Sequence, residues 1–366
     1  MDIGQKLKIA RNAIGYTLEK VEQATGISKS ALSNFETGQR EPKFSQLSLL
    51  ADIYKREIDF FLSDEPLVEE IMLWREKPIN EEEKKKMEAE FRKLCEQYHN
   101  LELCTDELKR VKLPQPDIDE AEQFTFEQAE SFARKVQIEL CLGDIPSSSL
   151  RRILEERYYV KIFHSEFSGS AISMLSEKYG PAVILNAKNK PWRRNFDLAH
   201  ELFHLLTRKI FGTSNGEISE QEDKLANTFA SKLLMPDDSF RQRIDLCKNK
   251  KGKVGFDQLD DISREFGVSL DALFWRIKNI YGIPAEDAEK YLGAAKQMTR
   301  LRYPRESDKP DKFPERYRDL AVRALREGKM SLMQFKKYME IKYKEAEEYL
   351  ADEEDFTDEE ISISIT

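Results

Sequence analysis

His200-Glu201-Leu202-Phe203-His204 places two histidines four residues apart with a glutamate beside the first. On a helix, positions i and i+4 share one face, so both imidazoles can reach a single divalent cation. Zinc is the metal this donor set suits. It lowers the pKa of a bound water toward about 7, and the neighbouring carboxylate can take that water's proton. The chain has 4 histidines, and two of them stand here. His200 and His204 are therefore read as metal ligands and Glu201 as the general base of a hydrolytic site. A third protein ligand is required, and the following helix offers Glu217, Glu220, Glu222 and Asp223. The reading requires the two imidazoles and one of these carboxylates to share a point about 2 Å from each.

The elements that must hold these groups follow from periodicity. Phe196, Leu198, Ala199, Leu202, Phe203, Leu205 and Leu206 mark a largely buried helix from Arg194 to about Thr207. A second helix is expected from about Ser219 to Leu234, ended by Met235-Pro236. Upstream, Phe126 to Leu140 and Leu150 to Glu156 read as helices. Tyr158 to Phe163 and Pro181 to Asn186 read as strands. Residues 256–282 read as two helices broken at Gly267, packed within the same unit. Lys248 to Lys253 is expected to be a solvated basic turn.

The N-terminal segment has a different grammar. Thr17 can cap a helix carrying Leu18 and Val21. Gly26 supplies a tight turn, and Ser28 can cap a second helix from Lys29 to Thr37. That second helix buries Ala31, Leu32 and Phe35. It leaves Ser28, Lys29, Ser30, Ser33 and Asn34 on the opposite face, short hydrogen-bonding side chains suited to base edges and phosphates. Gln39 and Arg40 follow in a loop suited to the phosphate backbone. The expected partner is double-stranded operator DNA. The net charge of -9 argues against wholesale electrostatic binding of nucleic acid. Residues 1–64 hold nine Lys/Arg and nine Asp/Glu, so this module is neutral. A neutral module is weakly attracted to phosphate, and a homodimer is the expected binding form.

Between the two lies a charged helix from near Glu81. Its Met87, Phe91, Leu94, Tyr98 and Leu101 form a heptad-like seam two heptads long. It can serve a dimer contact or pack within its own chain. The 366 residues allow two or three domains, with 40% hydrophobic and 35% charged residues. No apolar run reaches membrane-span length. The N-terminus lacks a signal peptide's apolar region. Four separated cysteines, Cys95, Cys104, Cys141 and Cys247, form no CxxC pair and are expected to be reduced and buried. A cytoplasmic protein is expected.

Two resemblances sharpen the reading. Gly26-Ile27-Ser28-Lys29-Ser30-Ala31-Leu32-Ser33, then Glu36-Thr37-Gly38-Gln39-Arg40-Glu41-Pro42, ending in Leu47 to Tyr54, resembles the Xre/Cro/phage-repressor helix-turn-helix family over about the first 64 residues. A phosphate-touching Gln usually follows the cap of that family's second helix. Leu18 stands there in this chain. Arg193 to Ala199, the HExxH run, and Leu225-Ala226-Asn227-Thr228-Phe229-Ala230 resemble the ImmA/IrrE metallopeptidase family over roughly residues 124–292. That resemblance implies a gluzincin-like, zinc-dependent endopeptidase that cleaves helix-turn-helix repressors. Its third ligand is a Glu three residues before the Ala of the Ala-Asn-x-Phe-Ala run. Here that position is Asp223, with Glu222 beside it as the alternative. Phe203 stands where the family often has Gly. By analogy with zincins, Ala182 to Leu185 is expected to offer a strand edge to substrate, and His164 or Tyr179 to be structural rather than oxyanion donors.

The expected architecture is α+β and multidomain. An all-α helix-turn-helix domain occupies residues 1–65 and a charged helical linker 66–120. A zincin-like α/β metallopeptidase domain occupies 121–295 and a helical C-terminal extension 296–366. The expected function is a DNA-binding regulator that cleaves a helix-turn-helix repressor, or itself, to relieve repression. The alternative is a transcription factor whose zincin-like domain is a non-proteolytic sensor or oligomerisation module.

Overall fold

The computed structural model describes residues 2–64, 70–76, 80–212, 218–284, 286, 289–293 and 309–351. The N-terminal unit is five helices: α1 (Ile3–Ala13), α2 (Leu18–Thr25), α3 (Lys29–Glu36), α4 (Phe44–Ile53) and α5 (Ile58–Leu62). Each helix of the expected pair starts where a hydroxyl can cap it. Thr17 accepts from the Lys20 N–H, and Ser28 from the Ala31 N–H. Gly26 ends α2 in the left-handed region at φ 72°, a conformation that costs glycine nothing. Leu7, Ala10, Val21, Leu32, Phe35, Leu47, Leu50 and Phe61 close one core. Ala31, expected inside, is half-buried. α1 lies so close to α3 that a Cβ on Gly4 would stand 2.3 Å from the Phe35 carbonyl oxygen, so no larger residue fits there. Arg11 clamps the same pair of helices by a fork onto Glu36, at 2.6 and 2.8 Å.

The second unit is built on a four-stranded sheet, ordered β1-β3-β4-β2: β1 (Met72–Arg75), β2 (Lys161–Ser165), β3 (Ala171–Ser176) and β4 (Gly180–Asn186). β4 runs parallel to β2 and antiparallel to β3, and β1 joins β3 antiparallel. Strand alternation divides the side chains between two faces. Ile162, Ala171, Val183 and Leu185 pack toward α9 (Pro191–Phe211), α10 (Glu220–Leu234) and α7 (Phe126–Glu139). Phe163, Ile172, Met174, Ala182, Ile184, Met72 and Trp74 pack toward α6 (Glu81–Cys104). α8 (Leu150–Arg157), α11 (Asp237–Cys247), α12 (Phe256–Glu265) and α13 (Leu270–Tyr281) complete the α9 side. On the α6 side lie α14 (Glu315–Arg326), α15 (Leu332–Met339) and α16 (Tyr343–Ala351). The result is a multidomain α+β protein.

Several expectations shift. Residues 72–104, placed in a linker, give the sheet an edge strand and a covering helix. Met87, Phe91, Leu94, Tyr98 and Leu101 are all buried against the sheet and α14, so the heptad-like seam is used within the chain. β4 is the second strand from one edge with a partner on each side. Ala182 to Leu185 therefore cannot receive a peptide as an added strand. β1 and β3 have no clean polar–apolar alternation, because both strand faces are covered. Cys141 is exposed and only Cys95 is fully buried. Glu217 and residues 352–366 lie outside the described residues. Among the described residues no helix is long and apolar enough to cross a membrane.

Candidate metal centre and nucleic-acid interface

α9 begins at Pro191, earlier than expected, because proline at the first helical turn lacks only a donor that would be unpaired there anyway. It runs on to Phe211 with its middle buried, and His200, Glu201 and His204 lie inside the protein. Both histidines use Nδ1 on acceptors from α10. His200 Nδ1 is 3.0 Å from Asn227 Oδ1, and His204 Nδ1 is 2.8 Å from Glu222 Oε1. Asn227 is fixed in that orientation because its Nδ2 donates to Asp223 Oδ2 at 2.9 Å. Acceptors at Nδ1 put the proton there and leave Nε2 as a lone pair on each ring.

The two Nε2 atoms face each other at 3.1 Å. Two lone pairs at that distance repel unless a proton or a cation stands between them. Ligand atoms on a tetrahedral zinc with bonds of about 2.0 Å lie about 3.3 Å apart, so the spacing suits a shared metal. Burial holds His200 well below its ordinary value, with Arg75 the next cause, so the ring is a neutral imidazole rather than an imidazolium.

The carboxylates are placed differently from one another. Asp223 Oδ1 lies 3.5 Å from His200 Nε2, on the open side of the pair, and its side chain is 49% exposed. Glu222 lies on the Nδ1 side of His204, behind the ring. Glu220 is exposed and paired with Lys224. The full convergence expected from sequence is not formed. Among the described residues no three His, Cys, Asp or Glu side chains close on one point. The pair of imidazoles is in place, while Asp223 Oδ1 stops 3.5 Å from His200 Nε2. Glu201 is fully buried, and neither of its oxygens has a hydrogen bond of normal geometry. Burial pushes its carboxyl up, opposed by His204 and the Ser173 hydroxyl. A carboxyl so placed is costly as an isolated group and holds a proton more tightly than an exposed one.

Sequence reading passed over four residues around this centre. Asn227 stood in a run already noted but had no role assigned. Ser173 and Arg75 project from unexpected strands. Asp197, fully buried, meets Arg75 Nε at 3.2 Å and Arg193 Nε at 3.0 Å, and accepts from Ser170 and Asn189. Only Asp197 carried a sequence signal, as an acid on a buried helix face. His164 and Tyr179 are engaged away from the histidine pair: His164 Nδ1 meets Asp311 O at 3.0 Å, and Tyr179 donates to Glu96.

On α3, Lys29 and Ser30 are exposed and Ser33 and Asn34 half-buried, while Gln39 and Arg40 are exposed in the loop. Ser28 spends its hydroxyl on the cap. Lys29 is ion-paired with Glu19 of α2, which holds the Glu19 carboxyl at about 2. The Arg40 guanidinium sits 5.9 Å from the Phe35 ring centroid.

Comparison with known proteins agrees with this division. Residues 7–61 match the helix-turn-helix family, and residues 155–278 match the IrrE N-terminal-like domain, Peptidase_M78. The chain thus carries one domain of each kind. Over 62 residues, 17% of this chain, it is 34% identical to the HTH-type transcriptional regulator ImmR of Bacillus subtilis (strain 168). The chain spans about half of that relative, 49% of its length. A Mycobacterium tuberculosis transcriptional regulator of known structure aligns at TM-score 0.30 and 13% identity, covering 50% of this chain and 51% of that one.

Proposed function

We propose that this chain is a DNA-binding transcriptional regulator whose second domain is a zinc-dependent endopeptidase. Its action would be to cleave a helix-turn-helix repressor, or itself, and so relieve repression. The observation that carries the reading is the buried pair of Nε2 lone pairs 3.1 Å apart beside a fully buried carboxyl that has no hydrogen bond of normal geometry. His200 and His204 would hold zinc through Nε2 and Asp223 would supply the third arm. Glu222 supports His204 from behind, and Asn227 supports His200. Bound zinc supplies a Lewis acid that activates water at neutral pH. Glu201 takes the proton of the attacking water and returns it to the leaving amine nitrogen. His200 stays neutral, and the Nδ1 of each ring is committed to an acceptor on α10. An extended substrate can add only at a sheet edge. At one edge, the backbone N–H of His164 on β2 already donates to Lys312. β1 is therefore the favoured edge, and Arg75 reaches from it to the residues around the metal pair.

The helix-turn-helix unit would place the chain on operator DNA as a homodimer in the cytoplasm. Ser28, Lys29, Ser30, Ser33 and Asn34 would face the groove, with Gln39 and Arg40 on phosphate.

The test is mass spectrometry of the zinc-loaded full chain, incubated alone and with a purified helix-turn-helix repressor. The wild type should generate new termini. Glu201→Gln should generate none while keeping zinc and operator DNA. Fragments that persist in Glu201→Gln reject the mechanism. Zinc and DNA binding without fragments in the wild type would favour the non-proteolytic sensor.

A further inference from the structure

Arg75 lies outside the segment that matches the peptidase family, on the strand that begins ten positions after the last helix of the DNA-reading unit. Strand parity turns its side chain toward α9, because Met72 and Trp74 occupy the opposite face. There it is buried, 8% exposed. Its Nε pairs with Asp197 at 3.2 Å, and its Nη2 donates to Asn227 Oδ1 at 3.2 Å. Nη1 is buried without a hydrogen-bond partner. The guanidinium also stands 5.1 Å from the Phe196 ring centroid.

Neutralising Asp197 does not account for this placement. Asp197 already has Arg193, Ser170 and Asn189. What Arg75 adds is the bridge to Asn227. One oxygen of Asn227 thus receives Arg75 Nη2 and His200 Nδ1, while its Nδ2 holds Asp223. Arg75 fixes which way the amide points, and the amide fixes both the tautomer of His200 and the carboxylate of Asp223. A lysine could supply the charge but has no planar fork to span Asp197 and Asn227 together.

We propose that Arg75 is a positioning residue of the metal centre, acting through Asn227 to orient His200 and Asp223 toward one zinc ion. This rests on the zinc reading above. It makes β1, a strand outside the recognised peptidase domain, an obligatory part of the metal site. Partners one step removed from a metal are typically worth about 10- to 100-fold in metal affinity.

The experiment measures zinc affinity of the full-length chain by competition with a chromogenic chelator, and the visible absorption bands of the cobalt(II)-loaded chain. Thermal unfolding of each metal-free variant reports on folding. Arg75→Met should bind zinc about 10- to 100-fold more weakly and change the cobalt bands. Asn227→Ala should lose a similar factor. The double variant should be no more than about twofold worse than the weaker single, because both remove one relay. Arg75→Lys should not restore wild-type affinity. If Arg75→Met does not fold, Arg75→Lys and Asn227→Ala carry the same test. Wild-type affinity and bands in Arg75→Met, full rescue by lysine, or losses that multiply in the double variant would each overturn the proposal and leave the zinc site standing. A wild-type chain that binds no zinc overturns the zinc reading and this inference together.

Discussion

The two functional regions keep their polar groups in opposite conditions. On α3, the side chains proposed to read DNA are exposed or half-buried, and water solvates them until a partner replaces it. Lys29 even has a temporary partner in Glu19. In the candidate metal centre, His200, Glu201 and His204 are sealed inside, and the Glu201 oxygens have no hydrogen bond of normal geometry. The first arrangement costs the fold little. The second carries desolvated groups, which are costly unless something pairs with them. The difference teaches what to look for in each case. A reading surface shows itself by which side chains a helix leaves outside. A buried reactive centre shows itself by polar atoms that the fold leaves unsatisfied.

The contrast can be broken most directly at the metal. His200→Ala should abolish stoichiometric zinc binding, measured by elemental analysis after gel filtration, while leaving operator binding unchanged. A full zinc complement in that variant would reject the site.

A smaller effect tests what a buried, unsatisfied carboxyl costs this protein away from the histidine pair. Glu155 on α8 is buried, its Oε1 has no partner, and burial pushes its carboxyl up to about 7. The native state holds this proton over a range where the unfolded chain, near its ordinary 4.5, has released it. Stability therefore falls as pH rises from about 4.5 to about 7, and the penalty is complete above that. Glu155→Gln should be more stable than wild type by about 3 kcal/mol near pH 8 and no different near pH 4, by chemical denaturation. An unchanged pH dependence would count against the assignment.

On the reading surface the effects are smaller. Asn34→Ala should weaken operator binding about tenfold, by a gel shift at fixed salt, with little change on unrelated DNA. No change removes Asn34 from the interface. The smallest effect is expected for Glu19→Gln. It releases Lys29 and should tighten DNA binding about two- to threefold, with a salt dependence steeper by about one phosphate contact. Unaltered salt dependence would show that Lys29 meets no phosphate.

The helix-turn-helix unit was legible almost to the residue because its signals are local. Thr17, Gly26 and Ser28 start and stop helices through bonds to neighbours three or four positions away. The imidazole pair was legible for the same reason, since a four-residue spacing on a helix needs no other element. β1 was missed because Met72-Leu73-Trp74-Arg75 does not alternate, and an arginine in a strand gives no sign that it is buried. β3 was missed because Ser173 and Ser176 interrupt its apolar run although both are buried.

What the chain order alone determined is the chemistry available: two imidazoles and a carboxyl one helical turn apart, and a capped helix pair with a short polar face. What tertiary structure alone decided is who meets whom. Packing put Glu222 behind a ring and Asp223 beside the imidazole pair. It seated a strand following the DNA-reading unit next to the histidines, covered the α6 seam within the chain, and placed β4 inside the sheet. These choices depend on contacts between residues far apart in sequence, and neither spacing nor composition records strand order or which face of a helix a distant element will cover.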